Sequence, residues 1–192
     1  MNHSYPTAYI DILKATEDSG FTMASDPLTG SLLRSLAASK PGGKFLELGT
    51  GTGLSTSWIL DGMDDASVLT SVDFDAEVMN IAETYLGDDP RLTLQLTDGS
   101  EWIHSNAHQR YDYIFADTWH GKYILLDEAL NMLLPGGLYI IDDMLPQPNW
   151  PEGHDEKAST LIHELSARTD LFFTNLEWAT GIMIGVKVAG KS

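Results

Sequence analysis

Acidic side chains close five short apolar runs in this chain: Glu47, Asp73, Asp98, Asp117 and the pair Asp142-Asp143. A single carboxylate at a strand end can accept hydrogen bonds from ribose hydroxyls or from an amine. Several that converge repel one another unless a cation sits among them. Asp117, Asp142 and Asp143 end the fourth and fifth runs, and hard oxygen donors without a soft partner suit Mg²⁺, Mn²⁺ or Ca²⁺. Each of the three could equally cap a helix or hold loop amides, and Asp98, followed by Gly99-Ser100, could cap a helix or contact an adenine amino group. His120 follows Asp117 by three positions and is a reasonable base for a hydroxyl proton, since an ordinary imidazole titrates at about 6.5. Lys122 is the next candidate and would need its pKa lowered. Trp119, Trp150 and Trp178 are flat surfaces against which an aromatic ring could pack, although tryptophan more often fills core. His154 and His163 read as surface residues before ligands, although His154 could reach the pocket on a mobile loop.

The second chemical feature is Phe45-Leu46-Glu47-Leu48-Gly49-Thr50-Gly51-Thr52-Gly53-Leu54-Ser55, a strand, a tight glycine loop and a helix start. Asp73-Phe74 follows a second strand, with Asp73 placed to hold ribose hydroxyls. Together these describe a nucleoside site. The glycine spacing is G-x-G-x-G, not the G-x-G-x-x-G of a dinucleotide loop, and Glu47 stands just before it. A carboxylate there would repel a pyrophosphate and attract the ammonium and sulfonium of S-adenosylmethionine. The methyl donor is therefore the favoured ligand; a dinucleotide-dependent oxidoreductase and a binding protein without turnover stay open.

These residues need a scaffold, and the pattern supplies an α/β one. Helices are expected over Pro6–Ser19 and Pro27–Ser39, the second capped by Ser25 or Asp26 and stopped by Pro41-Gly42-Gly43. Strands Lys44–Leu48, Val68–Val72, Leu92–Leu96, Tyr113–Ala116 and Leu138–Ile141 alternate with helices Leu54–Leu60, Ala76–Leu86, Ser100–Ala107 and Tyr123–Leu133. Leu134-Pro135-Gly136-Gly137 should end the last of these helices. After a helix at Glu156–Ala167, strands Leu171–Leu176 and Ile182–Val188 are separated by only Glu177–Gly181, which predicts a hairpin. The expectation is an open, doubly wound, mostly parallel seven-stranded sheet with an antiparallel C-terminal hairpin, in one domain spanning 1–192.

Composition narrows the partners. Eleven Lys+Arg against 28 Asp+Glu give a formal charge of −17, which repels phosphate backbones and anionic lipid. No nucleic acid and no membrane are expected, and no apolar run approaches a membrane span. The absence of cysteine excludes thiolate catalysis and disulfides. A cytoplasmic enzyme fits, and Met1-Asn2-His3-Ser4-Tyr5-Pro6 does not resemble a signal peptide.

From about Met23 to Lys187 the chain resembles class I S-adenosylmethionine-dependent O-methyltransferases of the catechol and caffeoyl-coenzyme A group, which implies their Rossmann-like methyltransferase fold. Met23-Ala24-Ser25 and Gly30 are similar to a segment that contacts the methionine part of the cofactor, so helices within 1–40 should cover that site. Glu47-Leu48-Gly49 and Gly53-x-Ser55 match the first motif, Asp73 the ribose acid and Asp98 the residue beside adenine. Asp117-Thr118-Trp119-His120-Gly121-Lys122-Tyr123 and Asp142-Asp143 resemble the metal-ligating motifs, and Leu176-Glu177-Trp178 the hairpin bordering the acceptor pocket. The resemblance implies methyl transfer to a hydroxyl of a small, catechol-like acceptor, assisted by a divalent metal, and a homodimer by analogy alone. Asp143 replaces the usual Asn and His120 the usual lysine. The proline-rich segment from Met144 to His154 is unlike the family's loop, which leaves a metal-independent enzyme with another small acceptor as the alternative.

Overall fold

A computed structural model describes residues 5–147 and 150–189. Pro148 and Asn149 of the proline-rich segment and the first four residues, on which the signal-peptide reading falls, lie outside the described residues. The elements are α1 (Tyr9–Ser19), α2 (Pro27–Ala37), β1 (Lys44–Leu48), α3 (Leu54–Gly62), β2 (Val68–Asp73), α4 (Ala76–Leu86) and β3 (Leu92–Leu96). They continue with α5 (Gly99–Asn106), β4 (Tyr111–Ala116), α6 (Leu126–Asn131), β5 (Leu133–Ile141), α7 (His154–Ser166), β6 (Leu171–Leu176) and β7 (Ile182–Lys187). Local chemistry sets several starts: the carboxylates of Asp26, Asp75 and Asp98 accept backbone N–H bonds in the first turns of α2, α4 and α5.

The seven strands form one sheet in the order β3-β2-β1-β4-β5-β7-β6. β1 to β5 are parallel, and β7 runs antiparallel to both β5 and β6, as the short hairpin predicts. Alternate residues bury on opposite faces. Leu46, Leu48, Ile114, Ala116, Tyr139 and Ile141 pack with α5, α6 and α7, while Phe45, Tyr113, Phe115, Leu138 and Ile140 pack with α1, α2 and α3. Each leucine, isoleucine or phenylalanine among them, when fully buried, stabilises the fold by about 1.5–3 kcal/mol. α2 meets α3 at glycine distance: a Cβ on Gly30 would lie 2.2 Å from Trp58 Cδ1.

Two expectations change. The helix expected over 123–133 is reduced to six residues, because Lys122, Tyr123 and Ile124 all donate their N–H groups to the Trp119 carbonyl and Leu125 is left-handed at φ 56°. Leu134-Pro135-Gly136-Gly137 does not separate helix from strand. It is looped out within β5, since Leu133 pairs with Tyr111 while Leu138 already pairs with Tyr113. Strand order reverses around β1, which lies between β2 and β4, so the carboxyl ends of β1 and β4 form the switch point where ligands collect in such sheets. No described helix is long and apolar enough to cross a membrane.

Candidate active site

At the end of β1 the glycine loop turns through positive φ at Gly49 (101°), Gly51 (53°) and Gly53 (90°). Glycine is required at Gly49 on a second ground: a Cβ there would stand 2.6 Å from the Asp117 carbonyl oxygen, so the loop after β1 abuts the end of β4. Gly51 N–H donates to Asp73 Oδ2 at 2.8 Å, and Asp75 N–H donates to Asp73 Oδ1 at 3.0 Å. Both carboxylate oxygens are thus oriented by the backbone, and each keeps a lone pair for a ribose hydroxyl.

Glu47 corrects the sequence reading. It is wholly buried and is not among the residues lining the cavity. Its carboxyl accepts from Ser55 Oγ and Thr56 Oγ1, both at 2.6 Å, and from Ser71 Oγ at 2.5 Å. Burial pushes its pKa up to about 7 against the pull of these three hydroxyls. Glu47 therefore ties β1, β2 and the first turn of α3 together beneath the loop, and does not face a cationic ligand.

Across the cavity from Asp73, the carboxyl ends of β4 and β5 form an acid corner. Asp117 Oδ2 accepts from Ser25 Oγ at 3.0 Å, which brings the segment before α2 over the cavity. Asp142 is buried; its Oδ1 accepts from Thr180 Oγ1 and from Asp143 N–H at 2.7 Å. Asp143 is left-handed at φ 57°, a conformation that Asp and Asn tolerate best among non-glycine residues. Burial raises the Asp117 pKa well above the ordinary carboxylate range, with Asp142 and Asp143 adding to the rise; burial likewise lifts Asp142 to about 6. Lys122, only 4% exposed, opposes both shifts and donates from Nζ to the Asp142 carbonyl oxygen at 2.5 Å.

The carboxylates of Asp117, Asp142 and Asp143 border one cavity, but among the described residues no three His, Cys, Asp or Glu side chains are grouped to hold a metal ion. Oxygens of two of the three already accept hydroxyl donors, and the Lys122 ammonium in the same cavity bonds the Asp142 carbonyl. This donor set does not fit the divalent ion that the sequence suggests.

The wall beyond the corner is aromatic. Trp119 meets Tyr123 with ring centroids 5.9 Å apart, and His154 lies 4.4 Å from Trp150, 5.4 Å from Tyr123 and 6.0 Å from Trp119. His154 corrects a second expectation: it is 7% exposed, and its Nδ1 is buried without a hydrogen-bond partner, while Nε2 lies 3.4 Å from Tyr123 Oη. Burial, reinforced by Lys122 and Lys157, lowers its pKa, so the ring is neutral at pH 7. His163 is exposed, as expected.

A single cavity of about 800 Å³ joins these parts. Of the expected residues, Met23, Ser25, Gly49, Gly51, Ser55, Asp73, Phe74, Gly99, Asp117, Trp119, His120, Lys122, Asp142 and Asp143 line it. Gly53, Asp98, Ser100, Glu177 and Trp178 do not. Gly53 packs on α4, where a Cβ would lie 2.8 Å from Ala82 Cβ. Asp98 caps α5 through Oδ1 and reaches His120 Nε2 at 3.5 Å through Oδ2. Trp178 turns away to donate from Nε1 to the Leu28 carbonyl at 3.2 Å, and Thr180 enters the cavity in its place. Trp150, expected as a flat surface, lines it as well, and so do Tyr123, His154 and Thr180, which had not stood out as ligands. The glycine loop, the oriented Asp73 and a cavity of this size fit a nucleoside, and Asp117 with Ser25 offers an acceptor for its charged amino-acid tail.

Residues 46–144, more than half the chain, match a family described as "Methyltransferase domain". A protein named "Putative O-methyltransferase" from Mycobacterium ulcerans is 31% identical over 140 residues, covering 68% of this chain and 62% of that protein. The chain thus spans somewhat less than two thirds of that relative. Among solved structures, a Corynebacterium glutamicum protein superimposes with a TM-score of 0.84 at 20% identity, covering 99% of this chain and 94% of the other. An O-methyltransferase from Bacillus cereus, in complex with SAH (S-adenosylhomocysteine), gives 0.81 at 17% identity, covering 94% and 91%.

Proposed function

The chain belongs to this methyltransferase-domain family, and we propose that it transfers a methyl group from S-adenosylmethionine to a hydroxyl of a small aromatic acceptor. The observation that carries the reading is the continuity of the cavity, from a glycine loop with an oriented ribose acid to a half-buried aromatic wall. Asp73 would hold the ribose, Gly99 and Phe74 would flank the base, and Asp117 with Ser25 would take the ammonium. When bound, the cofactor would supply an electrophilic methyl on a sulfonium, with the thioether as the leaving group.

The chain's own task is to align the acceptor oxygen and to remove its proton. Alignment can provide several kcal/mol of rate. A phenol titrates at about 10, so a neutral acceptor needs help to lose its proton at pH 7. His120 is the assigned base. Its Nε2 lies 3.5 Å from Asp98 Oδ2, and that carboxylate would stabilise the imidazolium formed when the proton arrives. The neutral ring of His154 in the aromatic wall, its Nδ1 without a hydrogen-bond partner, supports a second reading, in which it receives the acceptor's proton instead. Trp119, Tyr123 and Trp150 suit a flat ring, catechol or simple phenol.

Transfer from labelled S-adenosylmethionine to a panel of catechols and phenols tests the reading. Label in an O-methyl product is the expected result. Saturation by NADH with no response to S-adenosylhomocysteine would replace it with an oxidoreductase, and tight donor binding without transfer to any acceptor with a binding protein.

A further inference from the structure

We propose that the Lys122 ammonium is the resident cation of the acid corner, standing where a divalent ion would otherwise balance Asp117, Asp142 and Asp143. Its bearing on turnover rests on the methyl-transfer reading; its bearing on ion binding does not.

The position of Lys122 is fixed by backbone, not chosen by a flexible side chain. Gly121 is left-handed at φ 77°; its N–H donates to the Ile124 carbonyl at 2.7 Å and its carbonyl accepts from the buried Tyr139 hydroxyl at 2.5 Å. Lys122 N–H returns to Trp119 at 3.2 Å. The turn so closed sends the Lys122 side chain inward, where it is 4% exposed.

A buried ammonium is costly unless it meets both acceptors and negative charge, the effective penalty being several kcal/mol. The acceptors are neutral: the Asp142 carbonyl at 2.5 Å and the face of Tyr123, whose ring centre is 5.5 Å away. The negative charge is that of Asp117, Asp142 and Asp143, which line the same cavity as Lys122, with Asp142 itself the residue whose carbonyl the ammonium bonds. The need is mutual, since three carboxylates bordering one cavity require a positive charge. Lys157 lies 4.4 Å over the Trp119 ring but is not part of the cavity lining, in which Lys122 is the one lysine or arginine among the described residues. Lys122 is therefore the cation of this corner.

The consequence for the reaction is that an acceptor hydroxyl entering the corner meets a fixed positive charge, which favours its anion as it loses its proton. Unlike an ion, this charge cannot be removed by a chelator.

Mn²⁺ titration read by the electron paramagnetic resonance of the free ion tests the assignment without reference to activity. Wild-type protein should leave the free signal unchanged at micromolar to millimolar Mn²⁺, and its melting temperature should not respond to Mn²⁺ or EDTA. Lys122→Met should bind one Mn²⁺ per chain and melt higher as Mn²⁺ is added, because an ion that binds only the native state stabilises it. Lys122→Arg, which keeps the charge, should behave as wild type. If Lys122→Met does not fold alone, Mn²⁺ should restore its fold, read by circular dichroism. Stoichiometric Mn²⁺ binding by the wild type that Asp142→Asn abolishes would overturn the proposal. So would a folded Lys122→Met chain that takes up no ion, or an unfolded one that Mn²⁺ does not rescue.

Discussion

The two ends of the cavity are built in different ways. At the cofactor end, contacts are local and largely backbone: glycine φ angles, a Gly51 N–H on Asp73, and Glu47 tying adjacent strands from below. At the acceptor end, side chains arrive from remote segments: Lys122 after β4, His154 at the start of α7 and Thr180 in the hairpin. A site shaped by backbone accepts one ligand and changes little with sequence. One shaped by side chains from loops can be altered residue by residue, which is where acceptor choice resides.

Substitutions can separate the two ends, and His120→Ala should have the largest effect. Loss of a general base costs roughly 10²- to 10³-fold in kcat, with S-adenosylhomocysteine affinity by calorimetry close to wild type. A full-rate His120→Ala beside a slow His154→Ala would move the base to the aromatic wall.

Glu47→Gln probes the support beneath the cofactor end through its pH dependence. Below about pH 4.5 Glu47 is protonated in both the folded and unfolded chain. As pH rises to about 7 the unfolded chain releases the proton first, so the native state loses stability. The loss is roughly 3 kcal/mol once pH exceeds 7. Glutamine cannot titrate, so urea unfolding at pH 5 and pH 8 should show a smaller drop by about that amount. The remaining slope would come from Asp117 and Asp142, whose pKa values are also raised. Parallel losses in the two proteins would show that Glu47 is not held as described.

Asp73→Ala should weaken S-adenosylhomocysteine binding about tenfold to a hundredfold, the worth of one or two hydrogen bonds to a charged group. Unchanged affinity would remove the ribose assignment. The smallest effect is expected from Trp150→Ala, a rise of up to roughly tenfold in acceptor KM from lost ring contact. A matching loss of donor affinity would mean that the two ends are not separable.

How much of this could be read from the chain follows the same division. Gly49, Gly51 and Asp73 were legible because spacing along one strand–loop–helix unit fixes their geometry. The positions of the strands up to β5 and the C-terminal hairpin were legible from apolar runs of the right length, while their order in the sheet was not. Glu47 was misread: an acid beside a ligand loop can serve the loop itself. The hydroxyls of Ser55, Thr56 and Ser71 were the available signal, and Ser71 pairs with Glu47 in the β1–β2 register. Trp178 was expected at the pocket, but insertion of β7 between β5 and β6 carries Thr180 there instead. Met144 and Leu145 N–H groups bond to the Gly181 and Thr180 carbonyls at 3.0 and 2.9 Å. His154 had no periodic signature, since its burial depends on Trp150, Tyr123 and Trp119 meeting in space.

The central claim is that one cavity holds donor and acceptor at its two ends. A crystal structure with S-adenosylhomocysteine and a catechol tests it directly. The account predicts ribose hydroxyls on Asp73, the cofactor's amino group by Asp117 and Ser25, and the catechol ring against Trp119 and Trp150 with a hydroxyl facing Lys122. A cofactor bound away from the glycine loop, or a catechol bound outside this cavity, would contradict it.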